Sequence, residues 1–478
     1  MLRLLVSAVV VLLFAGPSLA KEGRPNVLFI MADDFRFEPG VFPENKLAPN
    51  LHRLAKRSLL FERAYCQQAV CNPSRSSMLT GRRPDTLRLW CNGTHFRELN
   101  PDVTTLPLWF KEHGYVTRDV GKIFHNWHTQ EHGDRRSWSA DEFLHYENHG
   151  NDRPQVDGEP PKNLVTANRS ERVNVPDEAY FDGRVAQEAI RVFNEIKDQT
   201  FFLAVGFWKP HAPFNAPDAY WRRTELFDIP AFNPGRPAGA PEVAFHDNRE
   251  ILGVPPKNIT PTASDVETMR RGYYANISYM DAQLGKVLDA LDASGKADST
   301  IVVFCGDHGY HVGEHGLWGK TSCFEFDAQV PLLIATPGMA TAGKTTKSLA
   351  ELVDLFPTLV ELCGLPPAPG LDGKSLAPLL KDPSATVKPA AFTQHPRPAY
   401  YDRTPSGRPQ QMGYSVRTPE VRYTEWRDWT TGKVVARELY ETEKDRAELE
   451  NVVETRKGAP ELKRAEELLE KQFKMEGH

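Results

Sequence analysis

Cysteine is scarce in this chain, with six residues among 478. So few cysteines exclude a small disulfide-dense scaffold, although an oxidising compartment would allow some of them to pair. The chain also lacks an excess of positive charge, because its formal net charge is −5. Proteins that bind nucleic acid usually present a basic surface, so the composition argues against a nucleic-acid partner. A local basic pocket for a small anion stays compatible with this charge.

Long apolar runs are rare as well, and the most conspicuous one lies at the amino terminus. Arg3 precedes an apolar run over residues 4–14, and Ser18-Leu19-Ala20 follows it. This order is typical of a cleaved export signal, and the run is shorter than the roughly 18 residues that a spanning helix needs. We predict a signal peptide over residues 1–20, with an uncleaved anchor as the alternative. The mature chain would have no membrane span and would be periplasmic or secreted, or lysosomal in a eukaryote.

Short apolar runs in the rest of the chain predict buried strands. Most are rich in Val, Ile, Leu or Phe without clean alternation, which is typical of parallel strands covered on both faces. The runs are residues 27–32, 115–120, 201–207, 301–305 and 331–335. Helical patterns lie between them, and the clearest covers about residues 264–293. Strands that alternate with helices predict an α/β sandwich with a mostly parallel central sheet flanked by helices.

Two segments, about residues 133–174 and 230–261, are polar and show no clear period. Long segments of this kind within a compact domain are usually functional or disordered. We interpret both as surface insertions, and a role in lining a substrate cleft is open for the first.

The composition changes again after about residue 366, where Pro-rich linkers begin. A predicted hairpin that turns at Thr431-Gly432 follows, and then a charged helix from about residue 459. We therefore predict a large domain over residues 24–365 and a smaller C-terminal α+β domain with an antiparallel sheet over residues 366–478.

Polar side chains follow four of the predicted strands. In chain order these strands lead into Asp33-Asp34, into Lys122 and His125, into Lys209 and His211, and into Asp307-His308 with Lys320 further along. The carboxyl ends of parallel strands lie at one edge of a sheet, where ligands bind in open α/β folds. We therefore expect a single site that combines carboxylates, imidazoles and ammonium groups.

The acids of this site indicate a bound cation. Carboxylates a few ångströms apart raise each other's pKa, and a divalent ion with oxygen ligands removes that cost. Asp33, Asp34 and Asp307 are the candidate ligands. His308 leaves the choice of ion open, because calcium and magnesium prefer oxygen whereas imidazole favours transition metals.

The bases of the site indicate the chemistry of the substrate. Lys122, Lys209 and Lys320 beside a metal would favour an anion with several oxygens, such as sulfate or phosphate. His125 and His211 would be able to transfer protons near neutral pH.

A short helix is predicted over residues 73–80, because Pro73 suits its first turn and Gly81 suits its end. Cys71 lies at its amino end, where exposed N–H groups and the helix dipole stabilise negative charge. Arg75 lies one turn further and can face the same anion. We predict that Cys71 occupies the nucleophile position of an anion-transfer site, although a cysteine nucleophile usually needs an imidazole partner.

Together these motifs resemble the type I, formylglycine-dependent sulfatases, which have an alkaline-phosphatase-like fold. Cys71-Asn72-Pro73-Ser74-Arg75 is similar to the signature C-x-P-S-R of that family. Further segments that resemble family motifs are residues 79–82, 121–125, 209–211, 307–320 and 438–452. The pair Asp307-His308 and the spacing of Lys122 to His125 are most similar to the iduronate-2-sulfatase branch.

The resemblance implies a modified nucleophile and one calcium ion. A formylglycine-generating enzyme would oxidise Cys71 to an aldehyde during export, and water would convert the aldehyde to a geminal diol. One hydroxyl would attack the sulfur, and the second would later allow the sulfate to be expelled. The residues that the resemblance implies as calcium ligands are Asp33, Asp34, Asp307, His308 and the modified Cys71.

The resemblance also implies roles for the basic residues. Arg75 would hold the diol, and Lys122 and Lys320 would stabilise the sulfate oxygens. His211 and Lys320 would protonate the leaving alcohol, and His125 would take a proton from the second hydroxyl.

The implied activity is hydrolysis of a sulfate ester, with a sulfated sugar or polysaccharide as the predicted substrate. Trp90, Trp208 and Trp318 lie near the motifs, and both stacking on sugar rings and packing in the core are open interpretations. One alternative is a phosphate or phosphonate ester hydrolase of the same superfamily. A second is a non-catalytic glycan-binding relative, against which the full set of proton-transfer groups argues.

Overall fold

The computed structural model describes residues 23–125, 133–143, 170–247, 250–253 and 259–474. The predicted signal peptide lies outside the described residues, as does the end of the predicted terminal helix. Residues 144–169, 248–249 and 254–258 of the polar segments are outside them as well. Within these ranges no helix has the length and apolar character needed to cross a membrane.

Strands and helices alternate along much of the described chain. The strands are β1 Asn26–Asp33, β2 Leu59–Tyr65, β3 Val116–Gly121, β4 Ser170–Val173, β5 Phe201–Pro210, β6 Phe214–Pro217, β7 Thr300–Gly306, β8 His311–Val312, β9 Trp318–Gly319, β10 Gln329–Ala335, β11 Thr345–Thr346, β12 Ala350–Glu351, β13 Ala391–Arg397, β14 Gln411–Arg417, β15 Arg422–Asp428 and β16 Val434–Tyr440. The α-helices are α1 Pro49–Ala55, α2 Cys71–Thr80, α3 Pro84–Leu87, α4 Phe96–Leu99, α5 Leu106–Glu112, α6 Phe181–Ile196, α7 Asp218–Thr224, α8 Ala263–Ala293, α9 Glu325–Ala328, α10 Leu355–Leu362, α11 Ala377–Lys381 and α12 Pro460–Gln472.

The central sheet has the strand order β11-β2-β10-β7-β1-β5-β3, and β12 also pairs with β2. β1 runs parallel to β5 and β7, and β3 runs parallel to β5, which confirms the predicted α/β fold with a mostly parallel sheet. β10 runs antiparallel to both β7 and β2. The prediction of a parallel strand over residues 331–335 is therefore wrong, because an apolar run reports burial on both faces but not the direction of the strand.

Both faces of the central sheet are covered by helices. Leu28 and Ile30 of β1 pack in a core that includes apolar side chains of α6 and α8. Val27 and Phe29 point to the other face and pack with side chains of α2, α5 and α10. This alternation explains why the central strands have no polar face.

The long helix α8 confirms the helix predicted over residues 264–293. Thr262 and Asp265 form a capping box, in which the Thr262 hydroxyl accepts from the Asp265 N–H at 3.2 Å. The apolar face of α8 is buried from Met269 to Leu291. The chain leaves the helix before Gly295, whose φ of +68° lies in the left-handed region that ends helices.

The first polar segment lies at the surface over most of its described residues, as predicted, but a few of its side chains are buried. Asp134 and Trp138 are 3% and 2% exposed. The carboxylate of Asp134 accepts from Arg97 Nε at 2.6 Å. This buried ion pair anchors one part of the segment, while Arg135 and Asp141 are 87% and 83% exposed.

The C-terminal part contains the predicted antiparallel sheet, in the order β13-β14-β15-β16. Strands β15 and β16 form the predicted hairpin, and α12 confirms the terminal helix over the described residues. Glu351 joins this part to the rest of the chain, because it accepts from Arg83 at 2.8 Å, from Lys388 at 2.7 Å and from the backbone of Phe392 at 3.0 Å. The division of the chain into domains at residues 365 and 366 stays a prediction.

Candidate active site

The site begins where the neighbouring strands β1 and β7 end. Asp33 is the last residue of β1, and Asp307 directly follows β7. The backbone N–H of Asp34 donates to Asp307 Oδ1 at 3.0 Å. Asp34 has a φ of +60°, which is uncommon for a residue other than glycine and is often found at functional sites. The three carboxylates are buried and lie together, as predicted.

Helix α2 places Cys71 beside these carboxylates. The helix begins at Cys71, two residues before the predicted start, and ends at Gly81, which has a left-handed φ of +66°. The Cys71 Sγ atom lies 3.6 Å from Asp33 Oδ1, 3.5 Å from Lys122 Nζ and 3.4 Å from His308 Nε2. All six cysteines are buried free thiols. The predicted location of Cys71 at the amino end of a helix is confirmed.

Arg75 holds the carboxylates on either side of Cys71. Its Nε donates to Asp307 Oδ2 at 2.8 Å, and its Nη2 donates to Asp33 Oδ1 at 3.1 Å. A further donor, Nη1, is 3.1 Å from the carbonyl of Ile123. The side chain is fully buried, so its charge fixes the carboxylates without competition from water.

Lys122 directly follows β3, at a point where the backbones of β3 and β5 lie close together at Gly121 and Gly206. Gly121 has a φ of +85°, and the Lys122 N–H donates to the carbonyl of Gly206 at 2.9 Å. A Cβ on Gly206 would lie 2.0 Å from the Lys122 carbonyl oxygen. The Lys122 ammonium group donates to Asp33 in a close contact. Burial opposes ionisation of Asp33, but Lys122 and Arg75 outweigh it and hold the pKa of that carboxyl well below its usual value.

His308 presents one ring nitrogen to the acidic side chains. Its Nδ1 lies 2.9 Å from the Gly309 carbonyl, so this nitrogen donates and Nε2 faces the cluster. Nε2 is 3.5 Å from Asp34 Oδ1 and 3.6 Å from Asp307 Oδ2. Burial lowers the pKa of His308, but Asp307 and Cys71 outweigh burial and raise it to about 10. The acidic surroundings therefore favour a positive charge at Nε2, which a proton or a metal ion would supply.

The geometry fits a metal ion. Ligand atoms of Asp33, Cys71, Asp307 and His308 all lie within 4.8 Å of one another, and a second group of this kind combines Asp34, Cys71 and His211. The first group offers two carboxylate oxygens, one imidazole nitrogen and the sulfur of Cys71. Calcium prefers the oxygen donors, whereas imidazole and thiol ligands favour transition metals.

Lys320 and His211 lie together on the other side of Asp34. Lys320 Nζ donates to Asp34 Oδ1 at 2.9 Å and to Glu250 Oε1 at 2.8 Å. His211 Nε2 is 3.7 Å from Asp34 Oδ2 and 3.3 Å from the same Glu250 oxygen. The structure therefore places His211 and Lys320 next to each other, as predicted. Glu250 was not predicted as part of the site, because it lies in the polar segment over residues 230–261, where no motif marks it.

The remaining residues near the motifs have different surroundings. Lys209 Nζ donates to the Pro213 carbonyl at 2.8 Å, so this lysine supports the loop after β5. His125 is buried, 4% exposed, and its role beside Cys71 stays a prediction. Trp208 and Trp318 are 2% and 3% exposed and pack in the core, so the sugar-stacking interpretation is wrong for these two tryptophans.

Comparison with protein families gives two matches along the chain. The model "Sulfatase" matches residues 25–365, and the model "N-sulphoglucosamine sulphohydrolase, C-terminal" matches residues 313–475. Iduronate 2-sulfatase of Mus musculus is 37% identical over 468 residues, which cover 84% of this chain and 84% of that protein.

Solved structures match nearly the whole chain. One, in complex with its substrate D-glucosamine-2-N,6-O-disulfate, is 20% identical with a TM-score of 0.73 and covers 95% of this chain and 98% of its own. Phosphonate monoester hydrolase of Agrobacterium radiobacter is 25% identical with a TM-score of 0.71 and covers 94% of this chain and 95% of its own. These likenesses confirm the predicted fold class.

Proposed function

Because the chain belongs to the sulfatase family and is a sulfuric ester hydrolase, we propose that it releases sulfate from a sulfated sugar or polysaccharide, in the manner of an iduronate 2-sulfatase. The observation that carries this proposal is the environment of Cys71. Its Sγ atom lies 3.5 Å from a buried ammonium group and 3.4 Å from an imidazole, beside the carboxylate of Asp33. Such surroundings suit a group that binds and attacks a small anion.

We propose that one divalent cation, calcium, completes the site. Asp33, Asp34, Asp307 and His308 would hold it, together with the modified Cys71. A bound cation supplies positive charge that stabilises the oxygens of the sulfate and makes its sulfur more electrophilic. Arg75 contributes by holding Asp33 and Asp307 in place through hydrogen bonds of 3.1 and 2.8 Å.

The nucleophile that we propose is formylglycine made from Cys71 by a formylglycine-generating enzyme. The hydrated aldehyde supplies two hydroxyls on one carbon, so one is available to attack sulfur and the other to release the sulfate. Lys122, which lies beside Cys71, would bind a sulfate oxygen. His125 would accept the proton of the second hydroxyl.

Lys320 and His211 would bind the ester oxygen and protonate the leaving alcohol. Both donors point to the same carboxylates, at 2.9 Å from Asp34 for Lys320 and at 3.3 Å from Glu250 for His211. Their convergence places two proton donors side by side, which supports a role in general acid catalysis. The lysine would also stabilise the charge on the transferred group.

Mass spectrometry of the peptide that contains Cys71 tests this proposal. Conversion to formylglycine lowers the peptide mass by about 18 Da. In parallel, sulfate release is measured on uronate, hexosamine, fucose and galactose sulfates, with Cys71→Ala as the inactive control. An unmodified peptide in fully active protein would refute the formylglycine, and absence of sulfate release from the whole panel would refute the sugar substrate.

The second candidate function is hydrolysis of a phosphonate or phosphate ester. It is favoured by the phosphonate monoester hydrolase among the similar structures. Relative kcat/KM values on an aryl sulfate, an aryl phosphate and an aryl phosphonate distinguish the candidates.

A non-catalytic glycan-binding role is disfavoured, because Cys71, Lys122, His211 and Lys320 converge on one buried cluster.

Export to the periplasm or out of the cell, or to the lysosome in a eukaryote, is part of the proposal. It rests on the signal peptide predicted over residues 1–20. Edman sequencing of the mature protein after expression with its own leader would locate the cleavage, which we expect after Ala20.

A further inference from the structure

A cavity with a volume of about 780 Å³ opens at the side of the central sheet, away from the candidate active site. This volume lies within the usual range of small-molecule sites. Its lining comes from the region of α1 and β2, from the loop around β11, and from residues 442–446 of the C-terminal part. None of the proposed catalytic or metal-binding residues lines it. The cavity is therefore a separate candidate site between two parts of the chain.

One wall of this cavity, here called the side cavity, is apolar. Phe37 and Phe42 line it with their rings stacked at 5.4 Å, and Pro39 and Pro43 extend the same surface. Leu60 of β2 adds an aliphatic side chain. Phe42 is only 5% exposed, and Arg446 lies over the Phe37 ring at 5.8 Å, so the exposed apolar surface comes mainly from the two prolines and part of Phe37.

The rest of the side cavity carries an excess of positive charge. The cationic lining residues are Lys56, Arg63, Lys344, Lys347, Arg417 and Arg446. The acidic lining residues are Glu62, Glu325 and Glu443. This local excess contrasts with the formal net charge of −5 for the whole chain. Concave surfaces with charge of one sign attract ligands of the opposite sign.

Four of these cations form no ion pair in the described part of the chain, although Lys344 has a charge interaction with Asp382. Arg63 pairs with Glu443 at 3.5 Å, and Arg417 pairs with Glu325 at 3.4 Å. The four cationic residues that make no ion pair with a described residue are Lys56, Lys344, Lys347 and Arg446. Like charges around one concave surface repel each other, and a bound anion relieves that repulsion.

We propose that the side cavity is an accessory binding site for an anionic saccharide. The C–H groups of a sugar would pack on Pro39, Pro43 and the part of Phe37 that is exposed, and its sulfate or carboxylate groups would contact Lys344 and Lys347. The choice of a saccharide rests on the proposed function. The choice of an anionic ligand rests only on the shape and charge of the cavity. One polysaccharide molecule that occupied both the active site and the side cavity would bind more tightly than a single sugar ester.

The test compares the wild type with a Lys344→Glu/Lys347→Glu variant. Sulfated hexasaccharides of chondroitin, heparin and fucan type are titrated calorimetrically, with a desulfated hexasaccharide as a negative probe. We expect the variant to bind its best hexasaccharide about tenfold or more weakly, with a shallower dependence on salt. The kcat/KM of an aryl sulfate should be unchanged, because it occupies the active site alone.

The matched control is Lys433→Glu/Lys463→Glu, which makes the same charge change on exposed lysines that do not line the side cavity. Equal weakening in both variants would overturn the proposal, because it would report overall charge. Absence of binding by any sulfated hexasaccharide, or loss of aryl sulfate turnover in the cavity variant, would overturn it as well.

Hydrogen exchange of the wild type gives a measurement that needs no variant. A bound hexasaccharide should slow amide exchange in residues 341–347 and 442–446, and unchanged exchange in both segments would overturn the proposal. The two proposals fail separately. A protein that releases no sulfate from any ester, but binds hexasaccharide in a Lys344- and Lys347-dependent way, would refute the proposed function and support the accessory site.

Discussion

The carboxylate of Glu250 lies 2.8 Å from the ammonium group of Lys320. The same oxygen is 3.3 Å from His211 Nε2, so one carboxylate orients both proposed proton donors. This relationship gives a residue of the polar segment a part in the proposed catalysis.

Replacement of Glu250 by Gln should lower kcat/KM about tenfold or more, mainly through kcat. The neutral amide removes the charge that holds the two donors in place, and small losses of orientation are costly to rate. The thermal midpoint should also fall at pH 7, because Lys320 and His211 outweigh burial and lower the pKa of Glu250, so that the ionised carboxylate stabilises the folded state. Activity is therefore compared per folded molecule. The matched control is Glu242→Gln, which affects an exposed carboxylate paired with Arg236. Full activity in E250Q would contradict the assigned positioning role.

Removal of the proposed calcium should abolish activity and lower the thermal midpoint, and added calcium should restore both. A ligand that binds only the folded state stabilises it in proportion to its occupancy. In Asp307→Asn, calcium should raise the midpoint far less than in the wild type. Asp298→Asn, on an exposed residue, serves as the control. Equal calcium responses in the two variants would argue against Asp307 as a ligand.

Introduction of a methyl group at Gly206 should displace Lys122. The new Cβ would lie 2.0 Å from the Lys122 carbonyl oxygen, so the backbone must move. We expect a loss of about 1–3 kcal/mol in unfolding free energy and at least a tenfold lower kcat/KM per folded molecule. Gly23→Ala is the control, because its Cβ would meet no atom within 4 Å. Wild-type kcat/KM in G206A would show that the position of Lys122 tolerates the shift.

The stability supplied by Glu351 should depend on pH. Burial opposes ionisation, but Arg83 and Lys388 outweigh it and lower the pKa of Glu351 from 4.5 to about 2. A lowered pKa stabilises the folded state above pH 4.5, and this contribution disappears as the pH falls toward 2. Its size is on the order of 3 kcal/mol.

The variant Glu351→Gln should therefore unfold at a lower temperature than the wild type at pH 7. The difference should shrink as the pH falls from 4.5 toward 2. Thermal melts of both proteins across this range measure it. A difference that stays constant with pH would show that packing of the side chain, and not its charge, accounts for the stability.

Local patterns predicted the strands that position the site, because those strands are buried on both faces. β2 was not predicted, since Glu62 and Arg63 interrupt its apolar residues and are only partly buried. Its antiparallel neighbour β10 was assigned the wrong direction, because direction depends on the connections between strands. The helix of Cys71 was predicted from Pro73 and Gly81, which act locally.

The site was predictable where a motif followed a strand. Asp33, Asp307 and Lys122 meet because parallel strands bring their carboxyl ends to one edge. Glu250 reaches the same place through a segment with no strand and no period, so its position depends on tertiary packing alone. Lys209 resembled the other lysines in sequence, yet it turns to the Pro213 carbonyl at 2.8 Å.

The burial of Cys71 has a consequence for the maturation of the protein. The residue is 2% exposed and begins a helix whose residues are all buried. An enzyme that modified it would need the surrounding peptide in its own binding groove, and the folded chain does not offer that peptide. On the formylglycine mechanism that we propose, conversion would therefore have to precede folding around Cys71, and a molecule that folded too early would be permanently inactive while remaining stable.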